Sequence, residues 1–116
     1  MKILTAIAGA DELVGKGVYR RMPTDVPPPV RDGHAVVVGE SAECAAAAQQ
    51  LGEAGWKVTV VTCENRRGCG VRRECRRRVG TAVVCATGIE YLEAVVLRRI
   101  DTGRIEACNA SALFVL

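Results

Sequence analysis

HAVVVGESAECAAAAQQLGEAGWKVTVVT, residues 34–62, is the stretch on which the reading of this chain turns. Residues 34–39 are a continuous apolar run that ends at Gly39, the pattern of a central strand buried on both faces. Residues 40–54 are Ala-rich, with Glu40 or Ser41 able to serve the N-terminus of a helix and Gly55 able to close it. Residues 57–62 then return to β-branched residues and form the second strand. A strand, helix and strand within about 30 residues require a right-handed crossover and a parallel pair of strands.

Working outward from that unit, residues 2–8 (KILTAIA) read as a short buried strand. Residues 9–33 form a connector that contains Pro27, Pro28 and Pro29, which fit neither a helix interior nor a central strand. Downstream, the arginine-rich segment 63–79 predicts a short helix near residues 69–78. TAVVCATGIE (81–90) gives a third strand, and EAVVLRRIDTGRIEACNA (93–110) a hairpin turning at Asp101, Thr102 and Gly103. ALFVL (112–116) is the last apolar strand. The expectation is a three-layer, Rossmann-like α/β domain with a central parallel sheet and a β-meander hairpin. Residues 1–33 supply an N-terminal strand and Pro-rich connector, and residues 34–116 the domain proper.

At 116 residues and 49% apolar content, the chain has material for one core. That core is aliphatic, since only Tyr19, Trp56, Tyr91 and Phe114 are aromatic. No apolar run reaches the roughly 18 residues of a membrane span. Asp11 and Glu12 stand where a secretory leader would carry its cleavage signal, so the reading is a cytoplasmic protein that does not engage membranes.

Six cysteines occupy positions 44, 63, 69, 75, 85 and 108 without forming a C-x-x-C pair. They read as small buried hydrophobes, and with His34 as the single histidine the pattern holds no metal-ligand set. Seven arginines between Cys63 and Val79 face two glutamates, which concentrates positive charge in one place although the net charge is only +3. Such a segment is either a solvated face or a clamp for phosphate. Nucleic acid is disfavoured as a partner by the modest total charge and by the lack of interleaved aromatics.

The same strings resemble the NAD(P)H-binding domain of thioredoxin-reductase-like flavoproteins. GADELVGKGV (9–18) resembles the linker into that domain, and VVVGESAECAAAAQQLGEAGWKVTVV (36–61) its dinucleotide-binding unit. YLEAVVLRRIDTGRIEACNASALFVL (91–116) resembles its meander and closing strand. The resemblance implies that NADP or NAD binds at the turn formed by Gly39, Glu40, Ser41 and Ala42. The family's glycine pattern is met here by Gly39, Ser41 and Cys44, so a serine side chain stands where the pyrophosphate approaches the backbone most closely. At the ribose end, Glu64 suits ribose hydroxyls while Arg66 and Arg67 suit a 2′-phosphate.

Two further departures qualify this picture. Arg21 and Thr24, around Met22 and Pro23, stand where thioredoxin reductases carry their redox C-x-x-C pair. No flavin-binding motif accompanies the unit, so FAD is not expected. His34 begins its strand at the opposite end from Ser41, which makes a Ser–His pair geometrically poor. The leading expectation is a free-standing, partly degenerate NAD(P)-binding-type domain acting as a partner or accessory subunit, in a homodimer or hetero-complex. The alternative is a small enzyme using a bound nicotinamide nucleotide, or a repurposed site at the Gly39–Cys44 turn.

Overall fold

The computed structural model describes residues 7–39, 42–62 and 75–116, with residues 75–79 described through their backbone. A 3-10 turn, Asp11–Leu13, precedes β1 (Val18–Tyr19) and β2 (His34–Val38). Helix α1 (Ala42–Glu53) leads to β3 (Lys57–Thr62), and β4 (Cys75–Val79) follows. The chain ends in β5 (Thr81–Gly88), β6 (Leu92–Arg99), β7 (Ile105–Asn109) and β8 (Ala112–Val115).

These strands make two sheets. β1, β8, β2, β3 and β4, in that spatial order, form a sheet in which every neighbouring pair is parallel. β5, β6 and β7 form an antiparallel meander. The parallel sheet is the middle layer because both its faces are apolar. Along β2, Ala35 and Val37 face α1 while Val36 and Val38 face the meander. β8 alternates in the same way, with Ala112 and Phe114 on the helix side and Leu113 and Val115 on the other. The result is a three-layer α/β domain with a central parallel sheet and a meander, as the sequence predicts.

Helix α1 buries Cys44, Ala47, Ala48 and Leu51, the i, i+3, i+4, i+7 spacing of one helix face. Its small residues bring the helix close to the sheet, and Leu51 and Trp56 fill the space at its far end. The Pro-rich connector is tied to this layer, since Trp56 Nε1 donates to the Pro27 carbonyl at 2.8 Å. Tyr19 stacks on Phe114 with ring centroids 4.7 Å apart. On the opposite side, Ile7, Ala10, Leu13 and Val18 join the meander core.

Gly17 shows why the connector approaches so closely. Its φ is +115°, and a Cβ there would lie 2.8 Å from Leu92 Cβ and 3.0 Å from the Ser111 carbonyl oxygen. The carbonyls on either side of it, Lys16 and Gly17, accept from Leu92 N at 2.8 Å and Leu113 N at 2.7 Å, so this short stretch joins both sheets.

Two expectations are adjusted. The short helix expected near residues 69–78 is, over Cys75–Val79, the edge strand β4, paired in register with Val58–Thr62; residues 69–74 lie outside the described residues. Arginine is a good helix former, but the open edge of β3 offers a full backbone ladder, and that tertiary pairing outweighs local propensity. The strand expected over residues 2–8 is described only at its end, where Ala8 bridges to Cys85.

Candidate functional site

In an open parallel sheet, ligands settle outside the C-terminal ends of the strands, where the connections leave in opposite directions. Here that point is β2. Its connection through α1 runs to β3 on one side, and β8 pairs on the other. That rule places the candidate site beyond Val38 and Val115, beside the start of α1.

Gly39 follows directly on β2 at this point. Its φ of +152° belongs to glycine, and its N–H donates to the Val61 carbonyl at 3.2 Å. A Cβ at this position would run into Cys44 Sγ and come within 3.1 Å of the Leu116 carbonyl oxygen. Leu116 N in turn donates to the Val38 carbonyl at 3.0 Å, which holds the neighbouring chain against the turn. Cys44 is 3% exposed and packs beneath the turn, so this thiol fills a structural position instead of presenting a nucleophile to solvent. Helix α1 then starts at Ala42, and its first backbone N–H groups lack partners within the helix. A glycine turn feeding the N-terminus of a 12-residue helix suits a pyrophosphate, through backbone donors and the helix dipole. Exposed Glu43, in the first turn of the helix, works against that attraction.

Of the residues expected at the site, Gly39 and Ala42 flank this turn, and Glu40 and Ser41 between them lie outside the described residues. Glu64, Arg66 and Arg67 also lie outside them; β3, which precedes these three, ends at Thr62 on the same edge of the sheet. Among the described residues, no group of three His, Cys, Asp or Glu is placed to hold a metal ion, and no helix is long and apolar enough to cross a membrane.

The opposite edge of the sheet carries a polar cluster that the sequence reading missed. His34 Nδ1 donates to the Asn109 carbonyl at 2.6 Å, which fixes the proton on that nitrogen and leaves Nε2 to accept from Thr59 Oγ1 at 2.7 Å. Cys108 Sγ lies 3.6 Å from the same Nδ1. Asp32 accepts from His34 N at 3.1 Å and from the buried Ser111 hydroxyl. Arg31, with φ +50°, donates to the Leu92 carbonyl at 3.1 Å and lays its guanidinium 3.8 Å from the centre of the Tyr91 ring. The signals available in the sequence were Asp32-Gly33 as a turn and a histidine heading an apolar strand. Their partners lie about 75 positions further along the chain.

A third feature is a recess of 280 Å³ on the meander, lined by Thr81, Leu97, Arg99, Arg104, Ile105 and Glu106. Arg99 is engaged there with Asp101 at 3.3 Å, and this contact holds the Asp101 carboxyl below its ordinary range. With its cations offset by Asp101 and Glu106, the recess lacks the net attraction for phosphate that the turn at Gly39 offers.

No family model matches the chain, and no curated protein matches it. Among solved structures, a thioredoxin reductase from Giardia duodenalis superposes with a TM-score of 0.76 at 19% identity, over 95% of this chain and 38% of that one. One from Gloeobacter violaceus gives 0.74 at 20% identity, over 96% and 36%. The T. acidophilum thioredoxin reductase gives 0.73 at 18%, over 94% and 38%. The chain thus spans less than two-fifths of the length of the reductases it is similar to. At these identities the likeness shows the fold: this chain folds as a thioredoxin-reductase-like, Rossmann-type α/β domain.

Proposed function

We propose that the chain is an NAD(P)-binding-type module, partly degenerate, that acts as a partner or accessory subunit of another redox protein. NADP or NAD seats its pyrophosphate on the turn Gly39–Ala42, with Glu40 and Ser41 lining it. Glu64 meets the ribose, and Arg66 and Arg67 meet a 2′-phosphate. The observation that carries this reading is the Gly39 turn: a side-chain-free, left-handed glycine feeding a helix N-terminus at the point where the sheet's connections diverge.

Ser41 narrows the approach to the backbone, and Glu43 opposes the incoming phosphate, so affinity is modest and salt-dependent. The chain has no C-x-x-C, so it performs no dithiol relay of its own and depends on a partner for electron transfer. A homodimer or hetero-complex is supported by apolar side chains on the meander, where Ile89 is 88% exposed and Ile105 is 64% exposed. The fold likeness to thioredoxin reductases supports a flavoprotein-type oxidoreductase as the partner.

Calorimetric titration with NADPH and NADH at low salt tests the nucleotide. The expected result is saturable NADPH binding that weakens at least about tenfold in Arg66→Ala/Arg67→Ala, the loss of roughly 1.4 kcal/mol of charge-assisted contact. A folded protein that gives no heat with either nucleotide contradicts the reading.

A further inference from the structure

We infer that two copies of this chain pair through β7, strand against antiparallel strand, with Ile105 on the two-fold axis and Arg104 of each copy against Glu106 of the other. This names the partner and the surface for the homodimer in the proposed function, and it rests on that part of the reading alone. It does not depend on a nucleotide at the Gly39 turn.

β7 is an edge of the meander, with β6 as its neighbour. The ladder between them runs from Arg98–Ile105 to Ala94–Asn109 without a bulge. Just outside its two ends, Arg99 N donates to the Arg104 carbonyl at 2.9 Å and Ala110 N donates to the Glu93 carbonyl at 3.1 Å. Antiparallel pairing alternates, so these two bonds fix the pattern between them. Glu106 and Cys108 turn their backbone groups to β6, while Ile105, Ala107 and Asn109 turn theirs away. The Asn109 carbonyl is taken by His34 Nδ1 at 2.6 Å. The N–H and C=O of Ile105 and Ala107 have no partner among the described residues. Such an edge invites a further strand, and β7 carries no proline, lysine or bulge to discourage one. Its side chains are open as well: Ile105 is 64% exposed, and Glu106 and Ala107 are exposed.

The charges select the occupant and the register. Arg104, Ile105 and Glu106 put a basic and an acidic residue on one face of the strand and an isoleucine between them on the other. That string is complementary to itself when reversed. With Ile105 opposite Ile105 of the second copy, the two exchange both backbone bonds, and Arg104 stands directly opposite Glu106 on either side of the axis. On the other face the two isoleucines meet, each beside Arg98 of its own β6. An axis at Glu106 would set two carboxylates against each other, which disfavours that register. An axis at Ala107 would call on the Asn109 carbonyl that His34 already holds. The two three-stranded meanders thus join edge to edge in one continuous antiparallel sheet.

The interface is small, so the dimer is expected to be weak and to form as concentration rises from roughly 10 µM to 1 mM. Sedimentation equilibrium of the full chain measures it, with a reducing agent present to exclude disulfide-linked pairs. Arg104→Glu alone and Glu106→Arg alone each place like charges across the axis and should raise the dissociation constant at least about tenfold. Mixed in equal amounts, the two variants complement each other and should return to within about threefold of the wild type. Ile105→Pro removes an N–H that β6 does not use, so it should abolish pairing and leave thermal unfolding little changed. A wild type that stays monomeric throughout overturns the inference. So does a dimer that both charge variants leave undisturbed, or a mixture of the folded variants that fails to recover. The wild-type and mixing experiments decide the matter should Ile105→Pro not fold. NADPH titrated into the same samples separates this inference from the nucleotide reading, since either can fail while the other stands.

Discussion

Gly39 and Cys44 divide between them a task that two small residues usually share. The glycine turns the chain sharply after β2, and the cysteine fills the space a third glycine or alanine would leave, with its sulfur against the turn. Their packing predicts a coupled pair. Gly39→Ala forces a Cβ onto Cys44 Sγ in a backbone conformation that alanine resists, which costs about 2 kcal/mol. Cys44→Ala alone leaves a small void and costs about 1 kcal/mol. The double variant recovers part of the clash, so denaturant unfolding should show it more stable than the summed losses by about 1 kcal/mol. Strict additivity would mean that the two residues do not touch. Gly39 was legible as the glycine that ends an apolar strand. The His34–Cys108 contact was not, because its two residues lie 74 positions apart and meet only after the meander folds over the parallel sheet.

Among the elements, β2, α1 and β3 were plain in the sequence because each carries one unbroken pattern: an apolar run, an Ala-rich helical face and a β-branched run. Other elements hide for physical reasons. β1 has two residues, too few for any periodicity, and exists because Val18 and Tyr19 pair with Leu113 and Phe114. β4 is written in arginines that favour a helix, and is a strand because β3 offers it an unpaired edge. The helix depends on its buried face more than on propensity. Leu51→Ala, at a fully buried position in the layer between α1 and the sheet, should cost about 3 kcal/mol in thermal or denaturant unfolding. Gln49→Ala, on the exposed face where its amide reaches Glu53 at 3.2 Å, should change stability by less than about 0.5 kcal/mol. Comparable losses at both positions would place the helix differently on the sheet.

Across the whole molecule, the two edges of the parallel sheet carry different chemistry. The C-terminal edge presents a glycine turn and a helix N-terminus, and the N-terminal edge a network of Arg31, Asp32, His34, Thr59 and Ser111 that ties the connector to both sheets. The three-layer architecture was readable from the order of patterns along the chain, since alternating strand and helix followed by a hairpin leaves few topologies. The occupant of the candidate site was less readable, because Ser41 and Cys44 replace two glycines of the fingerprint. The Glu64–Arg67 segment mixes an acidic and a basic signal within four residues. The proposed function seats a nicotinamide dinucleotide at the Gly39 turn. The most direct measurement is residue-resolved: amide shifts of the isotopically labelled protein during titration with NADPH. Saturable movement is expected at Gly39, Ala42 and Glu43 and in the residues following Thr62, with His34 and Cys108 unmoved. A folded protein whose amides stay still throughout, or move only around Arg99 and Arg104 on the meander, would contradict it.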